Sequence, residues 1–308
     1  MFGLVNKYSR IRCPKTAISI SGLIKLPVVL MWMKQPKSYL IRWVKYLLPT
    51  AWVNQVRNQY LYWRYAAKNR RFIVAHPEQS LPPLALLAET FKPDYSAYVE
   101  QGNATVAALM PLIKPYLSAN AKNGLDWGCG TGRLTTHFQK LLASLDWYAC
   151  DVRADMIQWN QQHLAQISFA VTQQEPSLPF NHVKFDLIIG FSVFTHIPAA
   201  LQDQWLKVLA DSLSEEGVLL FTTHGKAYRH HLTRQQLTVL ETTGIWDNTT
   251  GIAGSRVRAI YHDATVFQKT LALHLDVLRH YDGANYPDLI GGQDIWICKK
   301  KSRNSGTE

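Results

Sequence analysis

Residues 125–133 read LDWGCGTGR. Three glycines, Gly128, Gly130 and Gly132, fall within five positions, and the acid Asp126 stands just before them. Glycine costs backbone entropy on folding, so this density marks a turn or a close approach of a ligand to the backbone. A strand that runs into such a turn and then into a helix makes a cofactor cradle. One glycine turns the chain, another lets the ligand reach the backbone, and the helix N-terminus directs N–H groups at an anionic group. A second acid is then expected about 20 residues further on, at the end of the next strand, to hold ribose hydroxyls. Asp151 closes the run WYACD nineteen residues after Gly132.

Two cofactors compete for this cradle. The dinucleotide fingerprint is G-x-G-x-x-G, whereas the spacing here is G-x-G-x-G followed by Arg133. An acid ahead of the glycines suits a cationic amino group better than a pyrophosphate. S-adenosylmethionine carries an ammonium, a carboxylate and a sulfonium but no phosphate. Asp126 can face its positive end, while backbone N–H groups near Gly130–Gly132 meet its carboxylate. Transfer of its methyl to a hydroxyl needs alignment and removal of a proton, and an imidazole suits the second task. His196 in FTHIP and His224 in TTHG stand at carboxyl ends of expected strands, where open α/β sheets hold ligands. Each has the alternative of only bonding a loop.

The elements that must position these residues follow from residue 95 onward, where short apolar runs alternate with helical stretches. Strands are expected at 123–127, 145–151, 167–171, 185–192 and 217–224, with helices over 131–142, 154–164, 199–213 and 233–242. Residues 244–264, with three glycines, read as a lid or substrate loop. The chain then shows LDVLRHYD (275–282) and GQDIWICKK (292–300). Two final strands joined without a helix imply an antiparallel C-terminal edge on an otherwise parallel sheet.

LDWGCGTGR, ACDV, FDLIIGFSVFTHI, WLKVLADSLSEEGVLLFTTHG and GGQDIWICKK, in this order, resemble the class I S-adenosylmethionine-dependent methyltransferases. The nearest subgroup is that of small-molecule methyltransferases associated with bacterial polysaccharide biosynthesis, on the residues SVFTH, TTHG and the closing QD-hydrophobic strand. The resemblance covers roughly residues 90–300. It implies a Rossmann-like α/β fold with a seven-stranded sheet and S-adenosylmethionine as cofactor. It also implies that Asp126, Gly128, Cys129, Gly130 and Gly132 cradle the methionine end of the donor. By the same resemblance Asp151 holds the ribose, and Val152 and Met156 lie near the adenine, with Met156 equally suited to the core. The adenine contact beyond them is open among Thr172, Gln173 and Gln174, because Gln174 stands where the family often has an acid. Phe191 and Ser192 end strand 4 beside the transferring methyl. Tyr95 and Tyr98 are candidates for donor or substrate contact, and Arg133 is read as starting the helix at the strand rim.

The chain has 308 residues and a formal net charge of +11, unevenly distributed. Residues 1–90 hold 14 Lys or Arg and two acids, Glu78 and Glu89; the remainder is near neutral. The basic, aromatic segment 1–80 is therefore read as a helical extension, joined at 76–93 by a proline-containing boundary to the methyltransferase domain at 90–300. Its apolar stretch 17–33 is interrupted by Lys25 and Pro27, short of the roughly 20 residues a span requires. A signal peptide, a transit peptide and a start at Met31 or Met33 all stay open. Residues 38–48 and 51–72 read as amphipathic helices. Three readings stand side by side: packing on the catalytic domain, contact of residues 1–75 with an anionic membrane, and nucleic-acid binding. The four cysteines form no CxxC pair, which points to neither a disulfide framework nor a zinc site. Methylation of a small molecule or glycan is favoured, with a cytoplasmic location that includes the inner membrane face. The rival nucleic-acid methyltransferase lacks its signatures: strand 4 ends in GFSVF rather than an N-P-P-type motif, and no Pro-Cys nucleophile is present. A non-catalytic scaffold is disfavoured by the intact glycines and Asp151.

Overall fold

The computed structural model describes residues 50–248 and 258–301. The chain divides into two compact units, Met1–Tyr60 and Leu61–Glu308. Of the first, the described part is the beginning of helix α1 (Thr50–Ala75), which continues into the second. The helix expected over 38–48 lies outside the described residues.

In the second unit the order is α2 (Leu84–Thr90), α3 (Tyr95–Ile113), β1 (Asn123–Trp127), α4 (Thr135–Leu141), β2 (Asp146–Asp151), α5 (Ala154–His163), β3 (Ser168–Val171) and β4 (Phe185–Gly190). Then come α6 (Ala199–Ser212), β5 (Leu213–Thr223), α7 (Arg234–Thr243), β6 (Ile245–Asp247), β7 (Ile260–His262), α8 (Ala264–Leu271), β8 (Leu275–Tyr281) and β9 (Asp294–Lys300). Seven strands form one sheet in the order β3-β2-β1-β4-β5-β9-β8. The pairs from β3 to β5 are parallel, and β9 is antiparallel to both β5 and β8. The antiparallel strand of the C-terminal edge pair thus sits one place in, with β8 outermost. The fold is the Rossmann-like, mostly parallel sheet expected of the sequence.

Strand residues alternate between two apolar layers, as a sheet covered on both faces requires. Leu125, Trp127, Ile188, Leu219, Phe221 and Trp296 face α6 and α8, where Trp205, Leu209 and Phe267 pack. Ala149, Leu187, Ile189, Val218, Leu220 and Ile297 face α3, α4 and α5, meeting Leu109, Phe138 and Ile157. Two boundaries differ from expectation for local reasons. Helix α4 starts at Thr135 rather than Thr131, because the glycine turn keeps left-handed backbone as far as Gly132 (φ 76°). Of the loop expected over 244–264, residues 249–257 lie outside the described residues; the rest carries the antiparallel pair β6 and β7 and leads into α8, whose N-cap Asp263 accepts from Thr265 N and Val266 N. Among the described residues no helix is long and apolar enough to cross a membrane, and no His/Cys/Asp/Glu group suited to a metal occurs. Cys129, Cys150 and Cys298 are buried free thiols.

Candidate functional site

The glycine turn leaves the carboxyl end of β1. Gly128, Gly130 and Gly132 have φ of 78°, 54° and 76°. At Gly128 a Cβ would also overlap the Val193 side chain, so both backbone conformation and space demand glycine. The turn is held from several sides. Asp151 accepts Gly130 N–H through Oδ2 at 2.8 Å and Arg153 N–H through Oδ1 at 2.9 Å. Asn160 Nδ2 donates to the Gly130 carbonyl at 2.9 Å. From behind, the Tyr98 hydroxyl donates to the Thr131 carbonyl at 2.9 Å.

In front of the turn lies a cavity of about 360 Å³, within the range of small-ligand sites. It is bounded by the ends of β1, β2 and β4 and by α2, with Gly128, Cys129, Gly130, Asp126, Asp151 and Arg133 in its wall. Glu89 and Thr90 enter from α2; Val152, Thr172, Gln173 and Gln174 line one end, and Phe191, Ser192 and His196 the other. Three carboxylates against one guanidinium suit a ligand carrying positive charge, not a pyrophosphate.

Asp126 is fully buried, and Thr135 Oγ1 donates to it at 2.5 Å. Burial raises its pKa to about 6, with the nearby Asp151 adding to the rise and Thr135 opposing it. No ion pair among the described residues involves it. A ligand cation would relieve that buried charge. Burial likewise raises the pKa of Asp151, against the lowering by its bonded N–H groups.

Several sequence expectations are corrected here. The N–H groups of Gly130 and Gly132 do not meet a ligand carboxylate, because Gly130 N–H is bonded to Asp151 and Gly132 N–H to the Cys129 carbonyl at 3.0 Å. Arg133 does not start the helix. Its guanidinium lies in the cavity wall, 5.0 Å from the Phe91 ring centroid and 5.9 Å from that of Phe191. Among the described residues lining the cavity it is the one that carries a guanidinium, a group able to pair with a carboxylate. Met156 is fully buried off the cavity wall, as a core residue. Tyr95 and Tyr98 do not line the cavity either: the Tyr95 hydroxyl is bonded to the Pro82 carbonyl at 3.0 Å, and Tyr98 supports the turn. Desolvation lifts the Tyr98 pKa to about 12, so it stays a neutral donor.

His224 is corrected as well. It stacks on Tyr228 at 4.2 Å and meets Tyr261 at 5.5 Å, because β7 and the turn after β5 cover the end of that strand. It does not line the cavity. Burial lowers its pKa to about 4, and its Nδ1 has no hydrogen-bond partner. His196 does line the cavity, and its Nδ1 is 2.6 Å from the Arg258 carbonyl. Arg258 in turn forms an ion pair with Asp247. Thr172, whose hydroxyl is spent on the Ser177 carbonyl at 2.9 Å, leaves Gln173 and Gln174 as the amides able to read an adenine.

Sequence reasoning missed Glu89, Thr90 and Gln293. Gln293 Nε2 donates to Ser192 Oγ at 2.7 Å, and its Oε1 accepts from Thr222 Oγ1 at 2.6 Å. These bonds hold Ser192, a non-glycine residue at φ 59°, in the cavity wall. The signal was present in GGQDIW, but its use needs the knowledge that β9 pairs with β5.

Against known families, residues 125–219 match a family model described as a methyltransferase domain. The chain carries a methyltransferase domain. No curated protein matches the methyltransferase in sequence. Among solved structures it resembles Streptomyces venezuelae DesVI, with a TM-score of 0.50, 13% identity, and coverage of 67% of this chain and 95% of that one. A second similar structure is the PH0226 protein of Pyrococcus horikoshii OT3, with a TM-score of 0.49, 18% identity and coverage of 67% and 96%. A third is an S-adenosylmethionine-dependent methyltransferase of Clostridium acetobutylicum ATCC 824, with a TM-score of 0.46, 15% identity and coverage of 64% and 91%. S-adenosylmethionine is the cofactor such a domain takes, and the residues of this methyltransferase fit it. With the donor bound, Asp126 would face the ammonium, Arg133 the carboxylate and Asp151 the ribose hydroxyls. Val152, Gln173 and Gln174, which line the same cavity, would border its adenine.

Proposed function

We propose that this methyltransferase transfers the methyl of S-adenosylmethionine to a hydroxyl of a small molecule, sugar or lipid-linked glycan, with His196 as general base. One observation carries the reading. His196 lines the donor cavity, and the Arg258 carbonyl, which can only accept, lies 2.6 Å from its Nδ1. The neutral ring therefore carries its proton on Nδ1 and its lone pair on Nε2, the form a base requires. The bound donor supplies an electrophilic methyl on a sulfonium. The chain's own residues do the rest: Asp126 and Arg133 fix the two charged ends, Asp151 fixes the ribose, and His196 Nε2 takes the acceptor proton during attack. Alignment of this kind supplies much of the rate in a displacement on an already activated donor. The glycan class is supported by the resemblance of SVFTH, TTHG and the closing QDIW strand.

Incubation with isotope-labelled S-adenosylmethionine and a panel of sugars, nucleotide sugars and lipid-linked glycans tests the proposal, with mass spectrometry of the product. The expected product is a methyl ether, and His196→Ala should lower turnover at least about a hundredfold with donor affinity unchanged. Methyl found on nitrogen, or unchanged turnover in His196→Ala, would overturn it.

A further inference from the structure

Helix α1 has two unlike faces. From residue 61 onward its inner face is bonded to the segment that opens α3. Asn69, 3% exposed, donates Nδ2–H to the Pro93 carbonyl at 2.9 Å, and its Oδ1 accepts Tyr95 N–H at 3.0 Å. Lys68 pairs with Asp94 at 3.0 Å. Asp94 also caps α3 by accepting Ala97 N–H. Residues 61–75 are thus fixed to the catalytic unit, whose α2 residues Glu89 and Thr90 line the donor cavity.

The outer face differs in composition. Trp63 is 73% exposed, Val74 77% and Ile73 48%. At 3.6 residues per turn Trp63, Ala67, Arg70 and Val74 share one stripe, with Arg64 and Arg71 along one flank and Ile73 along the other. No carboxylate of the described residues forms an ion pair with Arg64, Arg70 or Arg71. Residues 61–75 contain no acid, so this stretch of the helix itself carries only positive charge.

We infer that the outer face of α1, through Trp63, Arg64, Arg70, Arg71, Ile73 and Val74, docks the catalytic unit on an anionic lipid surface. Arginines meet the headgroups, the indole sits at the headgroup–acyl boundary, and the aliphatic side chains enter the apolar side of it. Each basic residue held near an anionic leaflet adds attraction, and the apolar contacts make the binding more than electrostatic. Ile73 and Val74 argue for lipid over nucleic acid, since aliphatic side chains offer bases no stacking surface. The inference does not depend on which acceptor is methylated.

Vesicle co-sedimentation of the full chain tests it, with phosphatidylcholine vesicles prepared with and without phosphatidylglycerol. The wild type should bind the anionic vesicles and not the neutral ones. Trp63→Ser with Val74→Ser, and separately Arg64→Glu with Arg70→Glu and Arg71→Glu, should each weaken binding about tenfold or more. S-adenosylmethionine affinity should stay at the wild-type value in both, which reports that the variants fold. Wild-type vesicle binding in both variants, or no vesicle binding by the wild type, would overturn the inference. So would a result in which the arginine variant loses affinity for RNA while the Trp63/Val74 variant keeps full vesicle binding.

Discussion

Replacing Asp151 with alanine removes a carboxylate that braces the glycine turn and that the proposed function assigns to the donor's ribose. In the structure its two oxygens accept Gly130 N–H at 2.8 Å and Arg153 N–H at 2.9 Å. Hydrogen bonds to a charged group contribute about 1.5–3 kcal/mol each, and a buried N–H left without a partner costs about 1–3 kcal/mol. The variant should therefore lose roughly 2–4 kcal/mol of stability without ligand, read as a fall of several degrees in the thermal midpoint at the size of this unit. Donor binding loses the ribose contacts and the prepared turn together. About 3 kcal/mol at that step corresponds to a dissociation constant raised roughly a hundredfold. Calorimetric titration with S-adenosylmethionine measures the second effect and thermal unfolding of the free protein the first. Asp151→Asn keeps an acceptor oxygen for Gly130, so it should recover most of the stability but less of the affinity. An affinity for Asp151→Ala within threefold of wild type would refute the ribose assignment. An unchanged midpoint would refute the strut from Asp151 to the turn.

Other outcomes follow from the same site. Gly128→Ala should cost about 1–2 kcal/mol from the left-handed backbone alone, more from the overlap with Val193, and should be visible in chemical denaturation. The Asp126 carboxyl, raised to about 6 from an ordinary 3.8, favours the folded state when protonated. Its contribution to stability is complete below about pH 4 and is lost as pH rises through about 6. A donor ammonium prefers the ionised form, so affinity should climb between pH 5 and pH 7, and Asp126→Asn should flatten that climb in titrations across pH. Arg133→Met should raise the donor dissociation constant about tenfold or more, but leave unchanged the affinity for a donor analogue lacking the carboxylate. Asp247→Asn breaks the ion pair with the residue whose carbonyl faces His196 Nδ1. Nitrogen NMR of His196 should then show a mixed tautomer; a ring that keeps its Nδ1 proton would count against that coupling.

Local signals made the donor half of the site legible. Three glycines after a strand and an acid at the end of the next strand can be read without knowing any contact, because both constraints act within a few residues of backbone. The same holds for the alternating apolar strands, which record two covered faces. Which side chains of that motif reach the ligand was a different matter. Arg133 follows the last glycine directly and reads as a helix opener, yet the left-handed turn swings it between Phe91 and Phe191. Tyr98 reads as a ligand contact, but its hydroxyl faces the back of the turn.

His196 and His224 stand at equivalent places in the sequence, each just beyond a strand end. Sequence alone determined that both lie at the ligand-bearing edge of the sheet, since that follows from strand direction. Only the tertiary structure separated them. The strand β7, which begins sixty-four residues after His196, covers His224 with Tyr261, while Arg258, just before β7, presents its carbonyl to His196. Gln293 is the same case: its position beside Ser192 exists because β9 runs antiparallel between β5 and β8. Short-range backbone geometry is written in neighbouring residues; the pairing of distant strands, which decides what faces the cavity, comes from burying both faces of one sheet.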